Sequence, residues 1–196
     1  EISEATLMSR DATYKAISRA KASLQDEFEG KTETAFLKIP GDPEIATAED
    51  ILYAVFNIGF DSFDEKIQSM VNEDLCLEAM ALTKVLLSDY DRASTKNLMA
   101  LFCFHSARIQ AKVEEGRLVS FFKQDRMKWD RVLMSLGFTH LRKPEKLSRF
   151  YLEALIAAKH MTEKEYGTTY WNDISQLYYS LVSVHHSPVV KLNLCY

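Results

Sequence analysis

Four basic side chains, Arg10, Lys15, Arg19 and Lys21, lie within one short stretch of the chain in which Asp11 is the single acid between residues 9 and 24. That leaves a local charge of +3, a pattern suited to phosphate contacts. Ser9 precedes them and can cap a helix by accepting a hydrogen bond from a first-turn N–H. A second polar and aromatic concentration, QDRMKWDR, places Asp125, Arg126, Trp129 and Asp130 on one side of an expected helix. It is a candidate contact with a partner or another domain. The simpler reading is internal, with Trp129 packed and Arg126 paired to Asp130 four residues on. The five histidines give no metal site: His185 and His186 are adjacent and point about 100° apart on a helix, His105 sits beside Arg108, and His140 and His160 lack a carboxylate or cysteine at ligand spacing. Phosphate loops, nucleophile elbows and acid/base pairs are not legible, so the expectation is no enzyme and no cofactor.

The elements that must hold these groups are helices. Glycine and proline number only 6 and 4 in 196 residues, and 47% of residues are hydrophobic, enough for a real core. A net charge of −4 argues against nucleic-acid binding driven by global charge, so any such contact must be local. Cys76, Cys103 and Cys195 are few, odd in number and far apart, which reads as reduced thiols in the cytoplasm. No apolar run approaches the roughly 20 residues that cross a bilayer, and neither membrane contact nor a signal peptide is expected. The chain begins at Glu1, inside what should be a first helix, and its last helix is short; a fragment truncated at both ends is expected.

Residues 1–24 read as two helices about a corner. Ile2, Ala5 and Met8 mark the first, and Thr13, Ile17, Ala20 and Leu24 give the second an inward stripe. Such a pair is a helix-turn-helix, whose second helix enters the DNA major groove. The domain boundary falls in residues 29–46, a linker marked by Gly30 and the cluster Pro40, Gly41, Asp42, Pro43, with Phe36, Leu37 and Ile39 to anchor it. Helices are expected from Thr47, capped with Asp50, over 68–88 with Met70, Leu75, Leu77, Met80, Leu82, Leu86 and Leu87 close to helical spacing, and over 94–111. A small hairpin or ordered loop is expected at 111–122. Further helices are expected from Lys123 to about 138, from Pro144 to about 160, over 171–184, and from Pro188. The last two resemble one tetratricopeptide-like pair, with Trp171, Leu177, Tyr178 and Leu181 buried between them. The fold class is therefore all-α: a truncated helix-turn-helix over 1–28, the linker, and a helical domain over 47–196.

Several segments resemble a known family. EISEATLMS followed by Arg19, Ala20 and Lys21 is similar to promoter-reading region four of extracytoplasmic-function sigma factors of the sigma-70 family. Residues 53–60, 73–79, 105–108, 124–131, 157–160 and 187–193 resemble, in order, the helical C-terminal extension of one group of these factors. The resemblance implies promoter recognition and transcription initiation, with Ser9, Arg10, Tyr14, Lys15, Arg19 and Lys21 on DNA. It implies promoter DNA and the RNA polymerase core as partners, and a regulatory or protein-binding role for the extension. The chain departs from the family in three ways: region two is absent, Ala12 and Ala16 replace a threonine and an arginine, and Ile58 replaces an acid. A helical interaction domain with a vestigial DNA module is the alternative.

Overall fold

The computed structural model describes residues 8–28, 40–61 and 70–195, with the side chains of 24, 27 and 28 excepted. Of the expected first helix only Met8 is among these, outside any helix and exposed, and its other residues and the linker anchors Phe36, Leu37 and Ile39 lie outside the described residues. The described residues form nine α-helices and one two-stranded sheet, so the fold is all-α with a small hairpin.

Helix α1 spans Arg10–Phe28 and α2 spans Asp42–Phe60. The second starts before the expected Thr47. Pro43 occupies its first turn, where a missing N–H costs nothing, and Asp42 and Glu44 complement the helix dipole. Thr47 does not cap: its hydroxyl donates to Pro43 O at 2.8 Å inside the helix. Helix α3 (Glu73–Asp89) is capped by Asn72, whose side chain accepts from Leu75 N at 3.1 Å. Gly59 lets α2 and α3 close on each other, because a Cβ there would stand 2.9 Å from Asn72 O and 3.0 Å from Cys76 Sγ. That approach decides which face of α3 is buried. Only small side chains fit, so Cys76, Ala79 and Thr83 turn inward, while Leu77 and Leu82, two of the apolar residues at helical spacing, are 60% and 57% exposed.

Helix α4 (Ala93–Ser106) is the centre of the fold, with nine of its fourteen residues buried. On one side Leu98 and Phe102 meet α2 and α3, and the Phe56 and Phe102 rings stack at 4.1 Å. On the other side α6 (Arg131–His140) and α7 (Arg149–Thr162) pack against Leu101 and Phe104. A Cβ on Gly137 would reach within 2.6 Å of the Phe104 ring, so glycine sets how closely α6 lies. Phe56, Phe102 and Phe104 are fully buried, each contributing about 2 kcal/mol by removal from water.

The expected continuous helix over 94–111 breaks after Ser106, where the Ala107 carbonyl accepts from Asp130 N at 2.8 Å, and a short α5 (Ile109–Lys112) follows. A hairpin comes next, β1 (Val113–Glu114) pairing antiparallel with β2 (Arg117–Leu118). Glu115 and Gly116 have φ of 50° and 73°, the two left-handed residues of a turn matched to strand twist. The helix expected from Lys123 to about 138 starts only at Arg131, as α6; the 3₁₀ turns Phe121–Lys123 and Arg126–Lys128 precede it. Pro144 lies in a loop and α7 starts at Arg149. The buried Asn97 holds that loop's start, donating to Arg142 O at 2.9 Å and accepting from Arg142 N at 2.8 Å. Helices α8 (Thr168–Val184) and α9 (Pro188–Leu194) follow and pack with α7, burying Leu152, Ile156, Ile174, Leu181 and Val190 in one cluster. Leu177 and Tyr178 are half-buried beside them, but Trp171 is 42% exposed.

Candidate functional site

On α1, Ser9 caps the helix as expected: Ala12 N donates to Ser9 Oγ at 3.2 Å, and Thr13 N bonds Ser9 O at 2.9 Å. Thr13 is buried and Ile17 half-buried, whereas Ala20, expected inward, is exposed. Arg10, Lys15, Arg19 and Lys21 all face solvent, and Tyr14 is 72% exposed. At about 100° per residue these side chains divide into two groups. Arg10, Tyr14 and Lys21 fall within about 40° of one another beside the buried edge, and Lys15 and Arg19 lie on the far side. Between them runs an exposed strip of short or uncharged side chains, Ser18, Ala22 and Gln25, together with Asp11. Ala12 and Ala16 are half-buried and lie outside this strip. Arg19 Nε is turned back to Lys15 O at 3.3 Å.

Residues 124–130 form no α-helix, only a 3₁₀ turn at Arg126–Lys128, so the four singled-out side chains do not share a helix face, and Arg126 does not pair with Asp130. Asp125 accepts from Met127 N at 2.9 Å and holds a 3₁₀ turn. Asp130 caps α6, accepting from Val132 N at 2.8 Å and Leu133 N at 3.0 Å. Arg126 donates to Glu163 O at 2.7 Å and to the Tyr166 hydroxyl, tying the turn to the chain after α7. Trp129 is buried against α4 and α7. All four serve the packing of α6 and α7 on α4.

A cavity of about 680 Å³ opens beside this segment, walled by α2, α4, α7, α8 and α9. Sequence reasoning passed over it, because its polar groups come from distant helices. Along α7, Glu153 and His160 face it two turns apart, about 10 Å. His105 and Arg108 face it from the end of α4, and Arg108 Nη2 donates to His105 Nδ1 at 3.4 Å. The i, i+3 spacing of His105 and Arg108 was the visible signal. Burial, and then the Arg108 charge, hold both histidines well below the usual imidazole range, His160 at about 4. The Tyr170 hydroxyl lies at hydrogen-bond distance from His160 Nδ1; burial raises its pKa, so it donates and the His160 proton sits on Nε2. Burial also lowers Arg108 to about 10. Burial pushes the Cys103 thiol up to about 12 and Cys76 to about 11, values of unreactive thiols. Among the described residues no group of three or more His, Cys, Asp or Glu could hold a metal ion, and no helix is long and apolar enough to cross a membrane.

Fold and surface together define an all-α protein with a basic, capped helix ahead of a helical domain built around α4. Residues 44–145, from α2 to the loop after α6, match a family of unknown function, DUF6596, and the chain belongs to that family. An uncharacterised protein of Rhizobium meliloti (strain 1021) is 29% identical over 199 residues, covering 98% of this chain and 46% of that protein. The chain thus spans about half the length of that relative. No solved structure matches.

Proposed function

We propose that the chain is part of an extracytoplasmic-function sigma factor of the sigma-70 family, with α1 as the promoter-reading helix of region four. Helices α2–α9 form its regulatory or protein-binding extension, and promoter DNA and the RNA polymerase core are its partners. One observation carries this reading. The exposed cations of α1 stand on both sides of a strip formed by Asp11, Ser18, Ala22 and Gln25, side chains short enough to let a helix approach the floor of a major groove. Arg10 and Lys21 reach phosphates on one wall, Lys15 and Arg19 those on the other. Ser18 and Gln25 face base edges, where glutamine pairs with adenine. Ser9 presents the helix N-terminus to a phosphate. The family's threonine and arginine positions, here Ala12 and Ala16, are half-buried on a different face of α1 from this strip, and their loss weakens the reading that the resemblance implies.

Binding to promoter duplexes should fall with salt at a log–log slope of roughly −3 to −4, for four neutralised phosphates. Lys15→Ala with Arg19→Ala should make that slope shallower by about 2. Fluorescence anisotropy of a labelled duplex across a salt series measures both. Undetectable or salt-insensitive binding, unchanged by the substitutions, supports the helical interaction domain with a vestigial DNA module instead.

A further inference from the structure

The cavity wall carries two charged side chains, and among the described residues only one has an opposite partner in ion-pair contact. Glu153 is held by Arg149 Nε at 2.9 Å. No carboxylate of the described residues lies within ion-pair distance of Arg108. Asp61, the negative charge acting on it, is engaged by Lys112. The Arg108 guanidinium instead lies over the Phe60 and Phe121 rings, at 4.9 and 5.4 Å, with His105 as its hydrogen-bond acceptor. A cation in an apolar wall without a counter-charge is costly, and an anion beside it removes that cost. Around it the surface is aromatic and aliphatic: Phe121, Phe122, Ile156, Trp171, Ile174 and Tyr178. Phe122 and Trp171 are 51% and 42% exposed, with ring centroids 5.7 Å apart, so two large rings are presented at the cavity rather than packed away.

We propose that this cavity binds a small aromatic carboxylate, its carboxylate on Arg108 and its ring among these side chains. The Nε2–H of neutral His160 supplies a second donor from the same end of α7. Glu153, two turns away, sets the polarity: the anionic head goes to the Arg108 end and the apolar body lies toward α8 and α9. A volume of about 680 Å³ exceeds what a bicyclic acid needs and falls in the usual range of ligand pockets. This assignment rests on the cavity alone and is independent of DNA reading by α1.

The test is calorimetric titration of the chain with 3-(2-naphthyl)propanoate and with its neutral amide. The acid should bind at least tenfold more tightly than the amide. Arg108→Gln should weaken the acid at least tenfold and leave the amide unchanged, with helicity checked by circular dichroism. Ser175 lines the cavity from an exposed position on α8, so Ser175→Trp should fold normally and abolish binding of both. Failure of the acid to bind at millimolar concentration would overturn the proposal. So would equal binding of acid and amide, acid binding indifferent to Arg108→Gln, or full binding in Ser175→Trp.

Discussion

At the cavity, His160 is held between the Tyr170 hydroxyl and the Phe121 ring, the latter at 5.3 Å. Burial, then Arg108, lower its pKa to about 4, against about 6.5 in an unfolded chain. Between those values the unfolded state binds more protons, so this group's contribution is full above about pH 6.5 and is lost as pH falls toward 4. Allowing for partial exposure, the loss is about 2 kcal/mol. His160→Gln keeps an acceptor for Tyr170 without a titrating ring, so its melting temperature should depend less steeply on pH between 7 and 4.5 than that of the parent. Thermal melts across that range measure this, and parallel curves contradict it. Sequence alone could not find this residue's surroundings. His160 and Tyr170 are near in sequence, but Arg108 and Phe121 reach it only through the packing of α7 on α4.

Among elements, helix α6 depends on one carboxylate for its start. Asp130 accepts from two first-turn N–H groups and is itself exposed, so Asp130→Ala removes a cap without opening a cavity. The substitution should cost about 1 kcal/mol and Asp130→Asn should recover most of it. A shifted urea midpoint with unchanged m-value registers the effect, and an unmoved midpoint contradicts the capping role. This region also marks how far elements were legible. A hairpin was one of the two readings of Glu114, Glu115 and Gly116 between apolar residues; α9 was readable from Ser187 and Pro188, and the apolar run of α2 from its composition. Arg126 and Asp130 have helical spacing, yet their hydrogen bonds run to Glu163, Tyr166 and the N–H groups of α6, and these win over local propensity. Leu77 and Leu82 misled for a related reason. Apolar spacing gives a face, but the close approach at Gly59 selects the small-residue face of α3 instead.

For the whole molecule, the all-α class followed from composition and periodicity, whereas the cavity required the tertiary arrangement of five helices. Membership of DUF6596 covers α2–α6, the core that places α4 at the centre and carries α7 beside it. The proposed function joins that body to α1, a cap-initiated helix whose cations stand on both sides of Asp11, Ser18, Ala22 and Gln25. The most direct measurement is run-off transcription by RNA polymerase core with the full-length protein that contains this chain, on a template carrying its own promoter. The account predicts a promoter-specific transcript, reduced at least tenfold by Lys15→Ala with Arg19→Ala while circular dichroism stays unchanged. No promoter-specific transcript, or one indifferent to both substitutions, would contradict it.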